Sequence, residues 1–313
     1  MKTNLLFAGL LTFTALRTAA CDYCGIFLNV QPHDRSSQFG LFWRVRTLHG
    51  SFAPTGGIAL RHGDTSTTSS TPTVVTEMYQ TLELRSDLRL GDRWFLLGSV
   101  PLVNNYRSVN GYMKADLYGV GDPLVLARYQ VANTKCLSDT IRTVHRLLLG
   151  AGMKFPLGRT DMTFQSAEVD RDLQPGTGTW DALFSAEYTV RRNSNGLAMN
   201  SVVRWNGTRM AFHPGNGVNL SAEFFHRWNM GGLVLLPSLG AYGEWSAPDR
   251  EVGAQVEGTG GSTVFAHAGS RFWWREWMLT LAYQRAVADD QGDLMVPNRD
   301  RMILGISYLL VRS

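Results

Sequence analysis

The chain has 313 residues, with 30 Lys and Arg against 26 Asp and Glu, a formal charge of +4. So small an excess, scattered along the chain, excludes the basic footprint of a nucleic-acid-binding protein. Three cysteines in this length exclude a disulfide-stapled scaffold, and no later segment reaches the roughly 18 uninterrupted apolar residues of a spanning helix.

Residues 1–20 read as a secretory signal peptide. Lys2 supplies the positive start, Leu5 to Ala15 the apolar stretch and Thr18-Ala19-Ala20 the small-residue cleavage site. The expected organisation is signal peptide 1–20, a periplasmic N-terminal segment 21–37, and one β-domain over 38–313.

The N-terminal segment opens with Cys21-Asp22-Tyr23-Cys24-Gly25. Two thiolates at this spacing can chelate one soft ion, copper or zinc, with His33 or a second molecule completing the shell. A disulfide is the structural alternative, either Cys21 to Cys24 or one of them to Cys136. Lipidation of Cys21 is the third reading, since Thr18-Ala19-Ala20-Cys21 is a degenerate lipoprotein cleavage box. All three stay open here. Thiol redox catalysis lacks the βαβ context it needs.

From residue 39 onward, period-2 alternation recurs in blocks of about ten residues, the signature of transmembrane strands. The block TLELRSDLRL from Thr81 puts Leu82, Leu84, Leu88 and Leu90 on one face, and Glu83, Arg85, Asp87 and Arg89 on the other. Strands are expected at 39–49, 78–90, 93–103, 119–131, 144–156, 179–191, 197–206, 217–229, 232–246, 263–273, 275–286 and 300–311. The connections alternate: loops of about 10–28 residues after odd strands and mostly tight turns after even ones, as in outer-membrane barrels with long extracellular loops and short periplasmic turns. The exception surrounds Cys136. One long loop holds the low-complexity run from Thr65 to Thr73, expected to be solvated.

The fold class expected is therefore all-β, a closed antiparallel transmembrane barrel of about twelve strands, because in lipid a sheet must close on itself. Closure predicts that the last strand meets the first, with Tyr308 beside Trp43. Trp43, Trp94, Trp180, Trp205, Trp228, Trp245 and Trp277 are candidates for interfacial girdles. The inward face would carry Arg44, Arg46, Glu83, Arg85, Asp87, Arg89, Lys154, Glu187, Arg204, Glu223, Arg227, Glu244, His267 and Arg271. Such charges either brace a narrow barrel as an ion-pair lattice or line a wet pore.

Three segments carry more than periodicity: GVGDPLVLARY at Gly119 to Tyr129, LLLGAGMKFPLG at Leu147 to Gly158, and QPGTGTWDALFSAEY at Gln174 to Tyr188. In this order they resemble the outer-membrane transporter group named for the MetA pathway of phenol degradation. The resemblance runs from the fourth strand onward and implies a barrel that moves hydrophobic or aromatic compounds. The CDYCG start and first strand resemble those of barrel transporters from Bacteroidetes.

The expected function is an outer-membrane channel or transporter for a small solute, surrounded by outer-membrane lipid and lipopolysaccharide. The alternatives are a plugged barrel that serves as a structural or docking subunit of an envelope complex, holding a partner, periplasmic at the N-terminus, through its N-terminal segment or its loops, and metal handling at Cys21 and Cys24. Seven scattered histidines and the lack of a nucleophile elbow or phosphate loop give no enzyme motif, and no cofactor is expected apart from the copper or zinc reading.

Overall fold

A computed structural model describes residues 36–52, 72–134, 143–292 and 295–311. The signal peptide, Cys21, Cys24, His33, Cys136 and most of the Thr65 to Thr73 run lie outside the described residues.

Twelve antiparallel strands close into one barrel, each paired with its neighbour in sequence and the last with the first. In chain order they are β1 (Ser36–Phe52), β2 (Thr73–Arg89), β3 (Trp94–Val109), β4 in two pieces (Tyr112–Val120 and Leu124–Asn133), β5 (Thr143–Lys154), β6 (Asp181–Arg192), β7 (Asn195–Trp205), β8 (Gly217–His226), β9 (Leu233–Ser246), β10 (Gly261–Trp274), β11 (Trp277–Gln291) and β12 (Asn298–Val311). All twelve expected strands are present. β1 begins two residues before the expected domain boundary at 38.

Alternation drives this closure. Along β12, Met302, Leu304, Ile306, Tyr308 and Leu310 are exposed, while Ile303, Ser307 and Leu309 are buried. The outside is thus an apolar band and the inside a packed, mostly polar core, the inverse of a soluble barrel. On β2, Leu82 and Leu84 face outward while Glu83, Arg85 and Asp87 are each less than 5% exposed.

Tryptophans mark the band's edges. Trp94, Trp228 and Trp277 lie at the tight-turn end, joined there by Trp274; Trp180, Trp205 and Trp245 lie at the long-loop end. Trp228 pairs with Leu235, ten residues before Trp245 on β9. At about 3.4 Å per residue and about 40° of tilt, this separates the rings by about 26 Å, the height of an outer-membrane apolar band. Trp43 does not belong to a girdle: it sits at mid-strand, paired with Leu82 and Leu304.

Two further expectations are corrected. Tyr308 pairs with Phe39 rather than Trp43, a slip of four residues along β1. An even slip leaves every side chain on its own face, so alternation is blind to it. The long loop expected between the third and fourth strands is instead a hairpin. Asn110 (φ 51°) and Gly111 (φ 81°) form its two-residue turn, and left-handed backbone at both central positions is what Asn-Gly supplies. The Asn110 side chain also accepts a hydrogen bond from the Val74 amide at 2.8 Å.

The hairpin brings a break in the wall. At Gly121-Asp122-Pro123 β4 breaks: the piece Leu124–Asn133 pairs with both β3 and β5, whereas Tyr112–Val120 pairs with β3 alone. Its other edge faces a short hairpin, Thr163–Phe164 with Ala167–Glu168, from the loop between β5 and β6.

Candidate functional site: the bore and its loop-covered mouth

The bore is crossed by ion pairs. Arg46 on β1 reaches Glu244 on β9 at 3.0 Å, with β10, β11 and β12 intervening in the wall; Arg301 on β12 pairs with the same carboxylate. Arg128 on β4 bonds both Asp87 on β2 and Glu187 on β6, the latter at 2.8 Å. Glu223 on β8 meets Arg271 on β10 at 3.2 Å, with His267 at 3.6 Å. Glu83 takes Arg85 at 2.8 Å and the half-buried Arg44 at 3.0 Å. Charges so deep need partners, since an unpaired ion in a poorly hydrated interior costs several kcal/mol, about 3–5 when one partner is removed.

The structure thus gathers Arg44, Arg46, Glu83, Arg85, Asp87, Glu187, Glu223, Glu244, His267 and Arg271 inside the bore. Arg89 and Arg227 stand apart from this lattice. Arg89 pairs with the exposed Asp92 at a tight turn, and Arg227 occupies the irregularity after β8, its amide bonded to the Ser194 carbonyl. Apolar clusters close the lattice below, where Phe225, Leu236, Trp273, Met278 and Leu309 pack together.

Lys154 belongs to a second assembly, at the break in β4. Its ammonium contacts Asp122 at 2.7 Å and Asp181 at 2.9 Å, and all three side chains are 5% exposed or less. Asp122 also accepts from the amides of Gly158 (2.9 Å) and Thr177 (2.8 Å) and from the Thr177 hydroxyl (2.9 Å). Asp181 accepts from the Thr179 hydroxyl at 2.7 Å and the Gly207 amide at 3.2 Å. One buried knot thereby ties the bend in β4, the end of β5, the following loop, the start of β6 and the end of β7.

The knot gives a physical reason for the three sequence segments singled out above. Asp122 comes from the first, Lys154 and Gly158 from the second, and Thr177 and Asp181 from the third. Gly158 and Gly176 cross so closely that a Cβ on Gly176 would lie 2.5 Å from the Gly158 carbonyl carbon and oxygen. Gly176→Ala should therefore displace backbone and cost about 1–3 kcal/mol, read as a lower thermal midpoint and faster protease cleavage within residues 155–180; an unchanged midpoint and cleavage rate would refute the close crossing.

That loop, residues 155–180, folds over the mouth. Leu173 packs with Ala115 and Leu117 of β4, together with Met162, Phe164 and Val169. Asn105 donates to the Leu173 carbonyl at 2.9 Å, and Arg107, held by Glu77 at 2.7 Å, also pairs with Asp170. Burial pushes the Asp170 carboxyl above the ordinary carboxylate range, against the pull of Arg107. Gln174 stitches the loop internally through Met162 and Val169.

Two cavities follow in series. The outer one, about 380 Å³, lies between residues 160–177 and 204–214; the inner one, about 110 Å³, lies in the bore among Tyr79, Pro101, Leu124, Leu183 and Ile303. Arg204, 6% exposed, lines both. The outer wall contains a strained turn. Arg209 and Phe212 exchange both backbone hydrogen bonds at 2.8 Å around Met210 (φ 47°) and Ala211 (φ 64°). Two non-glycine residues in left-handed conformation cost about 1–2 kcal/mol each, and such strain persists where surrounding structure imposes it, often at binding sites.

Among the described residues no group of His, Cys, Asp and Glu is arranged to hold a metal ion. The Cys21 and Cys24 candidates lie outside them. Asp122, Asp181, Arg209 and Phe212 were not singled out from sequence: the first two sit at strand ends, where Asp reads as a turn residue, and the last two in an aperiodic loop.

This architecture is that of a transmembrane β-barrel of the bacterial outer-membrane class. No protein-family model and no curated protein matches the chain. Solved structures align with it. The COG4313 outer membrane channel from Pseudomonas putida F1 aligns over 90% of this chain and 100% of its own, at 16% identity and a TM-score of 0.60. The β-domain of the Bordetella autotransporter BrkA covers 88% of this chain and 100% of its own at 15% identity and TM-score 0.49. The P. putida toluene transporter TodX covers 88% and 89% at 8% identity and TM-score 0.37.

Proposed function

We propose that the protein is an outer-membrane channel for a small solute with an apolar body, taken in at the loop-covered mouth and passed down a narrow bore. The observation that carries this reading is the pair of cavities in series with Arg204 common to both. A barrel built only as an anchor has no need of a strained, loop-walled cavity leading to one inside its bore. Leu124, Leu183 and Ile303 give the inner cavity an apolar side among charged groups such as Arg44, Glu83 and Arg301, and the apolar body is the one implied by the resemblance to the phenol-degradation group.

The cross-bore ion pairs favour a second reading, a braced barrel that docks a partner. Single-channel recording of the purified, refolded chain in a planar bilayer separates the two. Small, discrete and stable currents are expected of the channel; verified insertion without current would leave the docking barrel.

A further inference from the structure

The outer cavity has a chemistry of its own. Its floor is Arg204, buried at 6% exposure, and one wall is Arg209. The Arg209 guanidinium makes no ion pair among the described residues, and it lies against Gly178, where a Cβ would stand 2.5 Å from the Arg209 Cδ and 2.6 Å from its Nη1. Gly178 has a φ of +71°, so backbone conformation and space for the arginine are set at one position. Phe212 is fixed by Arg171, whose guanidinium sits 4.3 Å from the ring centroid and pairs with Glu251 at 3.3 Å.

Met162, Met210 and Phe212 supply apolar surface; of the acidic side chains in the lining, Asp161 and Glu168 are exposed at the rim and Asp172 is half-buried. A cavity of about 380 Å³ falls within the roughly 300–1,000 Å³ usual for small-molecule sites. Arg204 below and Arg209 at one side, with apolar groups beside them and two of the three lining carboxylates at the solvent edge, fit an anionic head on an apolar body.

We infer that this cavity is a recognition site for a small carboxylate carrying an apolar body, bound with its carboxylate on Arg209 and Arg204 and its body against Phe212, Met162 and Met210. The inference deepens the channel reading by naming a ligand class for its mouth, and it rests on that reading only for the ligand's onward passage. A planar guanidinium takes a carboxylate through paired charge-assisted hydrogen bonds, while flexible methionines accommodate bodies of different shape.

The test is calorimetric titration of the full-length refolded protein with benzoate and hexanoate, and with benzyl alcohol as the uncharged comparison. Either carboxylate should bind more tightly than benzyl alcohol. Arg209→Gln should weaken carboxylate binding by about tenfold or more and leave benzyl alcohol unchanged. Phe212→Ala should weaken all ligands, and Arg209→Lys should restore part of the carboxylate affinity. Both positions fall in a loop outside the barrel, and heat-modifiable gel migration checks that each variant is folded. Failure of both carboxylates to bind, or binding indifferent to Arg209→Gln, overturns the inference. Binding of this pattern without any current in the bilayer would overturn the channel reading and leave the site standing.

Discussion

Lys154→Met should lower the unfolding free energy by about 3–5 kcal/mol, because it leaves two carboxylates, Asp122 and Asp181, buried without their shared cation. The expected readout is an earlier urea midpoint for the protein folded in vesicles, together with easier proteolysis of residues 155–180. Neutralising both acids should undo much of the loss: Lys154→Met with Asp122→Asn and Asp181→Asn removes the uncompensated charge while keeping side-chain volume. A single Lys154→Met midpoint equal to wild type would show that the knot is not a structural centre. The recovery in the triple variant distinguishes lost charge balance from lost packing, since both variants lack the same lysine.

Removing the chord across the bore should instead change flow. Arg46→Ala with Glu244→Ala deletes both ends of the 3.0 Å ion pair that spans the bore between β1 and β9, and single-channel conductance is expected to rise several-fold. Glu244→Ala alone should do something different. It strips Arg46 and Arg301 of their common carboxylate, so the bore gains net positive charge and the reversal potential in a salt gradient should shift toward anion preference. Unaltered conductance in the double variant would mean that the ions bypass this chord.

The sequence shows clearly what is periodic and adjacent. Leu82, Leu84 and their charged alternates set the two faces of β2, and similar blocks gave all twelve strands, because inside and outside of a barrel impose opposite polarity on successive residues. Register around the seam was hidden, since Phe39 and Trp43 lie on the same face and either satisfies the pattern opposite Tyr308. The outer hairpin was legible but unused: Asn110-Gly111 is a strong two-residue turn signal, eclipsed by the expectation of a long loop. The knot and the cavity were hidden for another reason. Asp122, Lys154 and Asp181 are far apart in sequence and meet only after β5 is flanked by β4 and β6, and Arg209 is placed by the absence of a side chain at Gly178.

The pairing of β1 with β12 also governs how the barrel is completed. Each other strand finds its partner within a neighbouring stretch of chain, whereas Ser36 must find Val311, 311 − 36 = 275 residues away. Closing a flexible chain of that length carries an entropy cost of about 5 kcal/mol from the (3/2)RT ln n relation, offset only when the two edges zip together. The seam should therefore form last and limit the rate of assembly, leaving two open hydrogen-bonding edges on every unfinished molecule. A circular permutant opened at Gly231-Gly232, with its original ends linked, would move that vulnerable moment to the junction of β8 and β9, and its assembly rate would report which pairing waits longest.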